Sequence, residues 1–171
     1  MSARTLVLLR HAKAEAPGDL DDFDRHLTST GRANADAAGA WLADQQLHPD
    51  LVLCSPAVRT RQTWHGVAVA LAQASPDSGS PEVHYEQGLY HGGRTEVIDL
   101  LRAIPDTVRT VLIVGHNPTV SDVSLLLRPY QETAFTEVFE TTGLAVHRAE
   151  GRWSATEPGS MPQVSTHTAR G

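Results

Sequence analysis

Thr5-Leu6-Val7-Leu8-Leu9-Arg10-His11-Ala12 holds four consecutive aliphatic residues that stop abruptly at a cation and an imidazole. A short apolar run bounded by Arg4 and Arg10 reads as a strand buried on both faces. Two more runs end in the same way. Leu51-Val52-Leu53-Cys54 leads into Ser55-Pro56-Ala57-Val58-Arg59, and Thr110 to Val114 leads into Gly115-His116-Asn117-Pro118. Helical sequence lies between and around them. Thr28 is a candidate N-cap for an alanine-rich helix running to about Gln46, and His48-Pro49-Asp50 breaks it. Pro56 suits a first-turn proline of a second helix bearing Val58, Val67, Ala68 and Leu71. A loop over Gln73 to Pro81, a short strand at Val83 to Tyr85 and a helix from about Thr95 to Ala103 follow. A further helix runs through Leu125 to Leu127. Phe135 to Phe139 and Gly143 to Arg148 read as two late strands.

Strands alternating with helices predict an α/β chain: a three-layer αβα sandwich with a mainly parallel central sheet. Ligands of such sheets bind beyond the carboxyl ends of the strands. If the three runs are parallel, Arg10-His11, Ser55 to Arg59 and Gly115 to Pro118 meet at one sheet edge. The expected organisation is one domain over residues 1–158, with 159–171 as a flexible tail.

Composition narrows the function classes. The 171 residues are enough for one domain with a real core and no need of disulfides or metals. A formal net charge of -6 with no basic run disfavours nucleic acid as a partner. No apolar run approaches the ~20 residues that span a bilayer. Cys54 is the only cysteine, so an intramolecular disulfide is impossible, and the expected compartment is the reducing cytoplasm. Its place at the end of an apolar run marks it as a packing residue rather than a nucleophile. Of the 14 basic residues, 13 are arginine, so each arginine needs a positional argument before it counts as functional.

Imidazole attacks phosphorus when one nitrogen is free and the other is held by an acceptor. A phosphoryl group in transfer needs cations around its oxygens, and guanidinium, permanently charged and able to bond two oxygens, suits this. His11 is the candidate nucleophile. Arg10 and Arg59 are the candidate phosphate-binding cations, and His116 is a candidate donor to a phosphoryl oxygen or to the leaving group. Asn117-Pro118 would open a helix whose amino end faces the same anion. Taken singly, each has a structural reading: a strand-end histidine, surface ion pairs, an ordinary Gly-His turn. Their conjunction at three strand ends favours chemistry. The nine histidines are dispersed and lack metal-ligand spacing, so no metal is expected.

Leu8-Leu9-Arg10-His11-Ala12 resembles the RHG/RHA signature of the histidine phosphatase superfamily, the group that includes the cofactor-dependent phosphoglycerate mutases. Ser55-Pro56-Ala57-Val58-Arg59-Thr60-Arg61-Gln62-Thr63 resembles its second signature, S-P-x-x-R-x-x-Q-T. Val114-Gly115-His116-Asn117-Pro118 resembles the third, and the three run in order from Thr5 to about Leu127. The resemblance implies a phosphoglycerate mutase-like fold and His11 as phosphoryl acceptor with His116 as its partner. It implies a phosphate pocket shared with Arg10 and Arg59, and a transient phosphohistidine hydrolysed by water, with neither metal nor organic cofactor.

RHA in place of RHG, the stretch Asp24-Arg25-His26-Leu27-Thr28-Ser29-Thr30-Gly31, and GHNP are similar to the small SixA-type phosphohistidine phosphatases. That branch implies a signalling protein bearing phosphohistidine as substrate. The short segment between Cys54 and Val83 leaves no room for a large cap insertion, and an open site suits a protein-borne phosphoryl group. Alternatives remain: a broad-specificity phosphatase of small phosphoesters, a phospho-binding module without catalysis and, for want of a cap and an acid, less readily a mutase. Glu86 is either the general acid of mutase-like members or a solvated loop carboxylate. Arg25 either reaches the pocket or pairs with Asp22 or Asp24. The acidic stretch Asp19 to Asp24 is a solvated loop, a barrier to anionic small substrates or a guide for a basic partner.

Overall fold

The computed structural model describes residues 3–130 and 138–171. Six strands form one sheet: β1 (Ala3–Arg10), β2 (Leu51–Cys54), β3 (Glu82–Tyr85), β4 (Thr110–Gly115), β5 (Gly143–Glu150) and β6 (Gln163–Thr168). Their order is β3-β2-β4-β1-β5-β6. β1 to β4 run parallel, β5 is antiparallel to β1, and β6 is antiparallel to β5. Among the described residues five α-helices accompany them: α1 (Ser29–Asp44), α2 (Val58–Ala74), the single turn α3 (Gly88–His91), α4 (Arg94–Arg102) and α5 (Thr119–Leu127).

The buried runs divide their side chains between two layers because successive strand residues face opposite ways. Leu6, Leu8, Leu51, Leu53, Val111 and Ile113 pack with Val97, Ile98 and Leu101 of α4 and Val120, Val123 and Leu127 of α5. Val7, Leu9, Val52, Cys54, Leu112 and Val114 pack with Ala38 and Leu42 of α1 and Trp64, Val67 and Leu71 of α2. Helices therefore cover both faces, as the sandwich reading expected. α1 and α2 approach closely at Gly39, where a Cβ would stand 2.5 Å from the Val67 carbonyl oxygen.

Helix starts follow their capping chemistry. Thr28 Oγ1 accepts from the Gly31 amide at 2.9 Å, satisfying one of the free donors of the first turn of α1. The second helix begins at Val58, with Ala57 at its N-cap, so Pro56 lies just ahead of the helix rather than in its first turn. Among the described residues no helix is long and apolar enough to cross a membrane.

Residues 159–171 are not a flexible tail: β6 pairs along β5, Ala169 is buried, and the Gly171 amide donates to Asn34 Oδ1 at 2.9 Å. Their polar sequence hid an edge strand that needs no apolar outer face. The strand expected at Phe135 to Phe139 falls mostly outside the described residues; Val138 and Phe139 themselves are not in a strand.

Candidate active site

β2, β4 and β1 are adjacent and parallel, which brings their carboxyl ends side by side. Arg10 stands level with Gly115, and Cys54 with Val114. His11, one residue past β1, is tied to the neighbouring strand by its amide, which donates to the Gly115 carbonyl at 3.0 Å. His116 leaves the end of β4, and the two imidazole centroids are 5.3 Å apart with the rings tilted 58°.

The hydrogen bonds settle which His11 nitrogen is free. Nδ1 lies 2.7 Å from the Ala12 carbonyl oxygen, which only accepts, so Nδ1 carries the proton and Nε2 keeps its lone pair. Burial depresses the His11 pKa to about 4; the Ala12 carbonyl opposes the shift, and the charges of Arg59 and Arg10 add to it. The ring is therefore neutral at physiological pH. Its neighbour Ala12 is held in turn, its amide donating to Thr63 Oγ1 at 3.0 Å while that hydroxyl donates to the Arg59 carbonyl at 2.7 Å.

His116 is pushed to about 3, first by burial and then by His11 and Arg59. Its Nε2 lies 2.7 Å from Ser55 Oγ, which also accepts from the Ala57 amide at 3.4 Å. With the Ser55 hydroxyl donating to Nε2, the His116 proton sits on Nδ1. That atom is buried without a hydrogen-bond partner among the described residues, and so are Arg10 Nε and Arg59 Nε. Unsatisfied buried donors are costly, and an oxyanion at this edge would satisfy such groups.

Arg10 donates through Nη1 to the Phe139 carbonyl at 2.9 Å, and Asn117 Nδ2 donates to the same oxygen at 2.7 Å. The side chain of Arg59 is 7% exposed; its Nη1 bonds the Asp22 carbonyl at 2.8 Å and its Nη2 the Asp22 carboxylate at 3.1 Å. Asp22 belongs to the loop between β1 and α1, whose base is pinned by the Ala14–Leu27 bridge and by the Thr28 amide on the Lys13 carbonyl. Gln62 clamps the same base, its Oε1 accepting from the Leu27 amide at 2.7 Å.

Arg25 pairs with Asp22, through Nε at 3.1 Å and Nη2 at 2.9 Å, and its charge is also felt at His11 and His116, where it helps to lower both pKa values. Glu86 stands at the end of β3, where its amide donates to the Cys54 carbonyl. Among the described residues its side chain makes no hydrogen bond or ion pair with His11, His116, Arg10 or Arg59. Cys54 is a packing residue: burial pushes its thiol up to about 12, so it is not a thiolate at neutral pH. No cluster of three or more His, Cys, Asp or Glu side chains is placed to hold a metal among the described residues.

Residues 6–91 match the sequence profile of the histidine phosphatase superfamily, branch 1. The chain belongs to this superfamily. It is a phosphatase with the phosphoglycerate mutase-like fold, and no large insertion interrupts it among the described residues. An uncharacterized protein of Mycobacterium tuberculosis is 36% identical over 168 residues, covering 95% of this chain and all of that one. The phosphohistidine phosphatase SixA homolog of Haemophilus influenzae is 33% identical over 126 residues, covering 69% of this chain and 73% of that one. The solved structure of the SixA protein of Nakamurella multipartitia superposes with a TM-score of 0.84 at 31% identity, covering 99% of this chain and 98% of that one.

Around the four residues read from the strand ends stand groups to which the sequence assigned no role. Ser55 and Thr63 lie inside the second signature and were available there as hydroxyls beside an arginine. Tyr90, whose hydroxyl donates to Asp22 Oδ2 at 2.7 Å and whose ring stands 5.6 Å from that of His116, gave no such signal.

The depressed histidines make a prediction about stability. His11, His116 and the core residue His147, lowered to about 4 by burial, all stay neutral in the folded state where unfolded histidine near 6.5 takes up a proton. Stability is therefore lost as pH falls from about 6.5 towards 4. Urea titrations across that window should show the unfolding midpoint dropping steadily; a flat midpoint would rule out three buried neutral imidazoles.

Proposed function

We propose that this phosphatase removes phosphate from phosphohistidine on signalling proteins, through a covalent phosphohistidine formed on His11. The observation that carries it is the His11 tautomer: Nδ1–H on the Ala12 carbonyl leaves Nε2 as a neutral nucleophile at a sheet edge shared with two arginines. In the first step Nε2 bonds to phosphorus as the bond to the leaving nitrogen breaks, and the departing imidazole keeps a proton on its ring. Arg10, Arg59 and the Nδ1–H of His116 stabilise charge on the phosphoryl oxygens. Ser55 is the positioning residue that selects the His116 tautomer. In the second step water attacks phosphorus, releasing inorganic phosphate and neutral His11.

Two features favour a phosphoramidate on a protein. An imidazole protonated at its other ring nitrogen leaves as the neutral ring without help from a carboxylic acid, and among the described residues the Glu86 side chain makes no hydrogen bond or ion pair with the histidine pair. Among the described residues no large insertion stands over the strand ends, which suits a phosphoryl group carried on a protein surface. The SixA names of the relatives point the same way. Assaying a phosphohistidine protein against a panel of sugar and nucleotide phosphates tests the reading. A higher kcat/KM for the protein is expected; a large preference for a small phosphoester would replace it with the broad-specificity reading.

A further inference from the structure

Asp22 is a carboxylate lodged among the cations that are expected to hold a phosphoryl group. Oδ2 takes Arg59 Nη2 at 3.1 Å and the Tyr90 hydroxyl at 2.7 Å, while Oδ1 takes Arg25 Nη2 at 2.9 Å. The Tyr90 hydrogen bond leads the causes that hold its pKa down to about 2, with the two arginines adding to it, so it is an anion at any working pH. Its side chain is 52% exposed while that of Arg59 is 7% exposed, so the negative charge stands outward of the buried guanidinium. Tyr90 fixes the direction. Its ring packs edge-on against His116 at 5.6 Å and against Phe23 at 5.2 Å, so the carboxylate flanks the approach to His116.

We propose that Asp22 is a specificity-determining residue, a fixed anion at the rim of the phosphate pocket that turns away phosphoryl compounds carrying a second negative charge on the leaving-group side. This rests on the phosphatase reading of the same pocket. Arg10 and Arg59, with Arg25 beside them, give the site enough positive charge to draw in a phosphoryl group. Asp22 neutralises part of that charge at the outer edge, where a leaving group would project. An imidazole, which carries no negative charge, passes this rim; a carboxylated or doubly phosphorylated small molecule meets a like charge there. Tyr90 and Arg25 hold the carboxylate in place, so it cannot simply swing into solvent when such a ligand arrives.

The test uses two phosphonates that cannot be hydrolysed, phenylphosphonate and 4-carboxyphenylphosphonate, which differ by one remote carboxylate. Calorimetry on the wild-type protein should show tighter binding of phenylphosphonate. Asp22→Asn, which keeps the shape and removes the charge, should narrow that preference by about tenfold at low salt, with the gap closing near 1 M salt. Asp24→Asn removes the same charge from the same turn without touching Arg59 and should leave the preference unchanged. Equal weakening of both ligands in Asp22→Asn would reduce Asp22 to a brace for Arg59 and overturn the proposal, as would an unchanged preference or an equal effect of Asp24→Asn. If neither phosphonate binds the wild type, the phosphate pocket itself is wrong and both readings fall. If both bind selectively and His11→Ala still hydrolyses phosphate compounds, only the His11 mechanism falls.

Discussion

His11→Ala should lower kcat by about four orders of magnitude or more, with no folding defect to explain it. The expectation comes from the ring's bonding rather than from its place in a signature. Nε2 is the only unprotonated nitrogen of a neutral, fixed imidazole, and alanine supplies nothing to replace it. The same substitution should abolish trapping of label from a radioactive aryl phosphate in a rapid quench. In the unaltered protein that label should be lost in acid and kept in base, as a phosphoramidate is. Cys54→Ser is the matched control. The thiol is buried and protonated, so turnover should change by less than about threefold. Label surviving in His11→Ala, or turnover collapsing in Cys54→Ser, would move the nucleophile elsewhere.

Arg59→Met should cost about a thousandfold in kcat/KM and weaken inhibition by inorganic phosphate in parallel. Methionine fills much of the arginine's volume, so packing around this buried position is largely kept. Asp22, already held by Arg25 and Tyr90, retains two of its partners. Arg59→Lys should recover little. An ammonium cannot hold the Asp22 carbonyl and carboxylate as a fork while also offering a donor inward. Parallel denaturation curves separate the effects: activity lost with a midpoint near that of the unaltered protein supports a role at the phosphate. Loss of both together would mean that Arg59 is mainly a strut between α2 and the loop bearing Asp22.

The parts of this molecule that were legible in its sequence are those whose causes are local. β1, β2 and β4 lie in the middle of the sheet and are buried on both faces, which leaves uninterrupted apolar runs. His11, Arg59 and His116 follow those runs within a few residues, so finding the strands also found the site. β6 was missed because Gln163-Val164-Ser165-Thr166-His167-Thr168 owes its strand to pairing with β5 rather than to an apolar pattern. The single turn α3 begins on a glycine and is too short to show a helical period. Asp22 and Tyr90 meet across 68 residues of chain, and Arg10 meets the Phe139 carbonyl across 129. A main-chain oxygen has no letter of its own, so no reading of residue types would have named the Phe139 contact.

The placement of β1 and β6 in the sheet has a mechanical corollary. β1 is sandwiched between β4 and β5, so a force applied at the amino end must shear it past two partners at once. Among the described residues β6 is bonded on one side only, and a force applied at its carboxyl end can peel it from β5 a few hydrogen bonds at a time. A molecular motor pulling on this fold would meet a hard strand at β1 and a soft one at β6. The soft end leads through β5 to β1, and so to the strand on which His11 is mounted.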